Sequence, residues 1–192
     1  MNVGGDAGFL LELSGKRFTQ FKENLIELYL HAFTQGDYAQ LISADEAVER
    51  LENLQQTGHG WIYILNTKPV ALLFWQPLLL DNDFPEIEIP EVDLQSAAYI
   101  AEVVVHDAFR GRGIATLMIE TALREISKSY TQTVIRVWDQ NLPAVLLYRK
   151  LGFREKGTIV QTKHFTSGKQ FEMLKLYMLK EHEENHENHA SQ

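Results

Sequence analysis

Apolar residues recur at three- and four-residue spacing through 17–33, at Phe18, Phe21, Leu25, Leu28, Tyr29 and Ala32. That period predicts an amphipathic helix, and Gly36 lies just past its end. Ser43 followed by Glu46 is a capping box. It opens a second helical pattern with Ala47, Val48, Leu51 and Leu54 on one face and Gly58 as its stop. Shorter runs read as strands: 8–13, then 61–65 and 70–76 joined as a hairpin by turn residues 66–69. The β-branched run 100–105 predicts a buried strand. Helical spacing returns over 113–129, with Ala115, Met118, Ile119, Ala122 and Ile126 facing one way. A strand over 132–138 follows, then a short helix over 142–151 with Pro143 in its first turn and Gly152 as its end. Segments 153–162 and 170–179 close the pattern as a hairpin around 166–168, and no internal repeat is present.

Two stretches break this rhythm. Residues 77–97 carry Asp81, Asp83, Glu86, Glu88, Glu91 and Asp93, no Lys or Arg, and prolines at 77, 85 and 90. They read as a solvated acidic connection with an edge strand around 86–89, or as a substrate-facing flap whose carboxylates attract an amine. The polar residues 180–192 predict a disordered, acidic, His-containing tail. Within it His182-Glu-Glu-Asn-His186 matches H-E-x-x-H, but no apolar face exists to bury such a helix, and the match reads as coincidence. His189 adds at most adventitious metal affinity.

A chain of 192 residues suits a single domain, here 8–179. The absence of cysteine removes thiol nucleophiles, disulfides and thiolate metal sites, and fits a reducing compartment; the expectation is a cytoplasmic protein with no metal. Residues 1–6 lack the basic-then-apolar pattern of a signal peptide, and no apolar run approaches the roughly 20 residues that cross a bilayer. A net charge of −8 argues against a general nucleic-acid surface.

The densest chemistry lies in 98–115. The strand ends at His106-Asp107, passes through Arg110-Gly111-Arg112-Gly113, and opens into a helix. Helix-start N–H groups lack intrahelical partners and carry partial positive charge. Glycines let the backbone approach an anion, and Arg110 and Arg112 add charge-assisted donors. The turn reads as a pyrophosphate cradle. It is not a G-x-x-x-x-G-K-[ST] loop, and position 116 is threonine where G-x-G-x-x-G needs glycine.

Residues 110–115 do resemble the acyl-CoA-binding signature [RQ]-x-x-G-x-[GA] of the GNAT superfamily of N-acyltransferases. A second block, from Asn141 through Ala144, Tyr148 and Lys150 to Gly152-Phe153, resembles that superfamily's N-x-x-A-x-x-x-Y-x-K-x-G-F, in the right order. The resemblance implies an α/β GNAT fold: a mixed central sheet of about 6–7 strands flanked by about four helices. It implies transfer of an acyl group from acetyl-CoA to a primary amine of a small molecule or peptide, by direct attack in a ternary complex, since no cysteine can carry an acyl group. Nucleic acid and membrane are not expected partners, and a homodimer is left open.

Glu102, a carboxylate inside an apolar strand, is the candidate base because desolvation raises its basicity. The plainer alternative is that it faces solvent or holds an arginine. His106 is the second choice, or a hydrogen-bonded turn histidine. The resemblance nominates Tyr148 as the acid for the leaving thiolate, against a packing tyrosine. It places backbone N–H groups near Val104 at the growing oxyanion and the main chain of Val103 and Val105 along the pantetheine arm; the valine side chains read as core in either case. Ile114, Ala115 and Ala144 fall within the cofactor-binding blocks. Asn141 would bond the pantetheine or its neighbouring backbone, or act as an N-cap, and the turn 33–38 would help wall the acceptor site. The competing readings are a CoA-binding module without turnover and a domain for some other phosphate ligand.

Overall fold

A computed structural model describes residues 8–36 and 39–182. The chain runs β1 (Phe9–Leu13), α1 (Gly15–Phe33), α2 (Ala44–Thr57), β2 (His59–Leu65), β3 (Lys68–Pro77), β4 (Ala97–Val105), α3 (Ile114–Ile126), β5 (Gln132–Trp138), α4 (Leu142–Lys150), β6 (Arg154–His164) and β7 (Gln170–Glu181). The strands form one seven-stranded sheet in the order β1-β2-β3-β4-β5-β7-β6. Among the described residues only the β4–β5 contact is parallel.

Local chemistry sets the ends of these elements. Ser43 Oγ accepts from the Glu46 N–H and Glu46 Oε2 from the Ser43 N–H, completing the capping box that starts α2. The β2–β3 hairpin turns through Asn66 and Thr67, both at positive φ, so the turn is tighter than the four residues 66–69.

The sheet separates two apolar layers. Leu25 and Leu28 of α1 and Leu51 and Leu54 of α2 pack on Ile62, Leu72, Phe74 and Val104 on one face. On the other, Ile114, Met118, Ile119 and Ala122 of α3 and Val145 and Tyr148 of α4 pack on Leu73, Ile100, Ile135 and Val137. Full burial of each such aliphatic side chain contributes about 1.5–3 kcal/mol, and this is what holds β4 rigid at the centre.

The acidic stretch keeps part of its first sequence reading, since Asp83, Glu86, Glu88, Glu91 and Asp93 are exposed. No strand forms around 86–89. Leu78, Ile89 and Val92 are buried instead, forming a lid of apolar contacts over Tyr99, Val134, Tyr177 and Leu179. Asp81 and Asp83 both contact Arg136 Nη1, at 3.4 and 2.9 Å, and Asp81 Oδ2 accepts from Tyr177 Oη at 2.8 Å. The two carboxylates pin the lid to β5 and β7 and are not free to attract an amine.

The sequence boundary at 180 also moves. β7 continues to Glu181, and the His182 imidazole lies 2.7 Å from Thr133 Oγ1. Because His182 is tied to the sheet edge, H-E-x-x-H has no helix to sit on at its first residue. His186 and His189 lie outside the described residues.

Candidate active site

The site is made by two strands parting. β4 and β5 pair from Ala97↔Gln132 to Ile100↔Ile135 and no further, although β4 continues to Val105 and β5 to Trp138. Beyond Ile100 each arm stays bound only on its outer side, β4 to β3 and β5 to β7. Along the inner edge of β4 the backbone phase is fixed by one bond, His106 N–H to Val70 O at 2.9 Å. Main-chain groups of an antiparallel strand alternate in direction, so His106 and Val104 face β3 while Val103 and Val105 face the gap. This supplies the edge expected for Val103 and Val105. By the same alternation the main chain of Val104 turns toward β3, opposite Leu72, and its side chain is buried under α1 and α2. The Val105 carbonyl also accepts from Arg110 Nε at 3.1 Å.

A bulge precedes Glu102. Phe74 is opposite Glu102 and Trp75 opposite Ile100, which leaves Ala101 as the extra residue. The bulge turns Ala101 and Glu102 to the same face, and Glu102 meets α2, where Arg50 Nε donates to its Oε1 at 3.0 Å. Glu102 therefore does hold an arginine, the plainer of its sequence readings. Burial still pushes its carboxyl above the ordinary glutamate range, and Arg50 offsets this in part. Sequence reasoning missed Arg50. The available signal was a lone cation beside the apolar stripe of Ala47, Leu51 and Leu54.

Tyr148 packs on the opposite face of the sheet. It is buried beside Ile100 and Val137, and its ring lies 6.1 Å from that of Phe153. Its hydroxyl is held well above the ordinary tyrosine range by burial, with the Glu102 charge adding to the shift. Base candidate and acid candidate are thus on different faces of the sheet, and the parted strands bring them within each other's electrostatic reach. Asn141 is the N-cap of α4, its side chain accepting from the Ala144 N–H.

At the end of β4, Gly111 and Gly113 have φ of 74° and 77°, a region costly to residues with a Cβ. A Cβ built on either would meet no atom within 4 Å, so the concave side of the turn is open. The first N–H groups of α3, at Ile114 and Ala115, follow that turn and have no intrahelical partners. Arg110 and Arg112 flank it. Arg112 Nη2 donates to Ala108 O at 3.3 Å and its guanidinium lies over the Phe109 ring, so both arginines are positioned by the chain with N–H groups to spare.

His106 takes the turn role, its Nδ1 accepting from the Ala108 N–H at 3.2 Å. Lys163 on β6 and Lys175 on β7 were not singled out by the sequence pattern. Burial lowers both; Lys175 falls to about 8, with Lys163 and Arg136 contributing. With Arg50 and Arg136 they make the surroundings of Glu102 rich in cations. Of the 33–38 turn, positions 37 and 38 lie outside the described residues.

The fold so built is the GNAT fold. The N-acetyltransferase from Staphylococcus aureus Mu50 superposes with a TM-score of 0.68 at 14% identity, covering 91% of this chain and 98% of that one. A putative acetyltransferase from Salmonella typhimurium, solved with its cofactor acetyl-CoA, gives 0.66 at 15% identity, covering 96% and 99%. Residues 78–155 match the family model described as the acetyltransferase (GNAT) domain. An uncharacterized N-acetyltransferase of Methanocaldococcus jannaschii is 34% identical over 73 residues, which is 37% of this chain and 32% of that protein. The match thus spans about a third of that relative's length. The chain thus carries the GNAT fold across its described residues, and residues 78–155 resemble the GNAT acetyltransferase domain in sequence.

Proposed function

We propose that the protein is an N-acetyltransferase that takes the acetyl group of acetyl-CoA and passes it to a primary amine by direct attack. The observation that carries this reading is the gap between β4 and β5, which opens after Ile100–Ile135 and ends at the glycine turn. A pantetheine-sized chain fits there as an added strand, held by the main chain of Val103 and Val105. The open turn 110–113, the first N–H groups of α3 at Ile114 and Ala115, and the flanking guanidinium groups suit a pyrophosphate. Asn141 and Ala144, at the start of α4, line the opposite arm. Bound there, acetyl-CoA supplies the activated acyl group.

The chain's own residues handle the protons. Glu102, made more basic by burial, accepts a proton from the acceptor ammonium at Oε1 or Oε2, directly or through a water. N–H groups on the free edge of β4, at Val103 or Val105, offer donors for charge growing on the thioester oxygen. Tyr148 Oη donates to the departing sulfur. The acceptor is a small-molecule or peptide amine entering on the α1/α2 side, where Glu102 points. Asp81 and Asp83 are bonded to Arg136, which leaves the exposed Glu86, Glu88 and Asp93 as the carboxylates that would attract a cationic acceptor. We place the protein in the cytoplasm, and its acceptor there.

Calorimetric titration with acetyl-CoA tests this reading, repeated on Gly113→Glu, which fills the turn with a carboxylate. Binding by the parent and its loss in the variant are expected, followed by amine-dependent release of free thiol. Binding without thiol release across an amine panel would instead favour a CoA-binding module. No binding by the parent would remove the proposal.

A further inference from the structure

Away from the gap, three potential ligand atoms converge where α1 passes the turn after β4. His31 Nε2 lies 3.1 Å from Asp107 Oδ1, His106 Nδ1 lies 2.9 Å from the same oxygen, and the three atoms fall within 4.8 Å of one another. The two imidazoles are stacked, centroids 4.5 Å apart and planes 8° from parallel. Unprotonated, all three atoms are acceptors. A proton on His31 Nε2 can serve one contact. His106 Nδ1 then faces Asp107 Oδ1 acceptor to acceptor, with the Ala108 N–H shared between them at 3.2 and 2.8 Å. Protonating both rings would stack two cations face to face.

We propose that His31 Nε2, His106 Nδ1 and Asp107 Oδ1 form a binding site for a first-row divalent cation of the Zn2+ class, which ties α1 to the turn leading into the pyrophosphate loop. One such ion supplies the charge of two protons and bonds three atoms that otherwise meet as acceptors, the two imidazoles turning out of their stack to aim both lone pairs at it. The two nitrogen–oxygen separations fall within the ligand–ligand edges of roughly 2.9–3.4 Å that follow from metal–nitrogen and metal–oxygen bonds of about 2.0–2.1 Å, and the two nitrogens lie within 4.8 Å of each other. Two imidazoles and a carboxylate suit zinc, cobalt or nickel better than magnesium or calcium.

The site has an entry path. Its side chains are 36% to 58% exposed, and both histidines line a cavity of about 320 Å³ that Glu27, Asn24 and Lys68 also line. Glu27 sits one turn before His31 on the same face of α1 and can bring a fourth oxygen, while Lys68 is the opposing charge that the ion must outweigh. No step of the proposed acyl transfer runs through this ion.

Titration of the full, metal-stripped chain with Zn2+ tests the site by calorimetry, with Co2+ absorption as a spectroscopic reporter. One equivalent should bind. Affinity should fall on the order of 10–100-fold or more in His31→Ala and in Asp107→Asn, and stay unchanged in a His186→Gln/His189→Gln double variant that removes C-terminal histidines. Visible Co2+ bands should appear in the parent and the double variant and vanish in His31→Ala. A thermal melt of each metal-free variant reports that it is folded, and His31→Asn serves if the alanine variant is not. No binding by the parent, or binding that survives the loss of His31, would overturn the proposal.

Discussion

Arg50 on α2 donates from Nε to Glu102 Oε1 at 3.0 Å, and the Glu102 side chain beside it is only 11% exposed. Two forces act on one carboxyl: burial raises its pKa and the guanidinium lowers it, with burial the larger. If Glu102 is the base, kcat/KM falls as pH drops through this raised pKa, above the range of an exposed glutamate. Removing the lowering partner must move that limb further. Arg50→Met is therefore expected to shift the acid limb of the pH–rate profile to higher pH, and Arg50→Lys to shift it less. Glu102→Gln should lose on the order of 10²–10⁴ in kcat. An acid limb that ignores Arg50→Met would remove Glu102 from the role.

The same raised pKa fixes a sign for stability. The folded state holds the Glu102 proton more tightly than the unfolded chain does. Protonation on folding thus favours the native state below the ordinary glutamate value, and this contribution is lost as pH rises through the folded pKa. The stability of the parent relative to Glu102→Gln is expected to improve steadily between neutral pH and the ordinary glutamate range. Urea melts at several pH values measure it, and a flat difference would contradict a raised pKa.

The glycine turn separates strain from sterics. Gly113 sits at φ 77° with nothing within 4 Å of where a Cβ would stand. Gly113→Ala should therefore cost about 1–2 kcal/mol through the left-handed backbone alone. Gly113→Asn, which tolerates that region, should recover part of the loss. Equal melting temperatures for the two variants would count against this account.

Much of this was readable in the chain because it rests on local rules. Capping at Ser43 and Glu46, the glycine turn and the β-branched run into Val105 each announce one element through spacing or backbone demand. Glu102 and Tyr148 stood out because a charge in an apolar strand and a tyrosine in a signature block are unusual at short range. The rest depended on pairing between distant segments. That Arg50 meets Glu102 needs α2 to lie over that point of β4, a contact 52 residues apart that no periodicity marks. That Asp81 meets Arg136 needs β5 to lie beneath a loop 55 residues earlier, so two of the six carboxylates in an acidic run that looked solvated are taken by one cation. The phase that turns Val104 toward β3 follows from a single register.

That Asp81–Arg136 contact should matter unequally for its two carboxylates. The Asp81 side chain is 6% exposed and that of Arg136 15%, whereas that of Asp83 is 53% exposed. Deleting one partner of a buried pair leaves the other charge uncompensated, at a cost of about 3–5 kcal/mol, while half-exposed pairs contribute about 0–1 kcal/mol. Asp81→Ala is expected toward the lower end of the first range, since Asp83 and Tyr177 Oη still face Arg136, and Asp83→Ala below 1 kcal/mol. Chemical denaturation resolves the two, and equal losses would show that the lid is not pinned through Asp81.

Lys175 offers the opposite sign from Glu102. Burial, with Lys163 and Arg136 behind it, lowers its ammonium to about 8, so the folded chain gives up that proton more readily than the unfolded one. Stability from this group is present above the unfolded lysine value and is lost as pH falls through about 8. Replacing it with an uncharged chain of similar length removes that loss. Lys175→Met is expected to stabilise the protein at pH 7 relative to the parent, with the gain shrinking toward pH 10. Melts of both proteins across that range check it, and a gain that does not shrink would mean that packing around the methionine, rather than the charge, had changed.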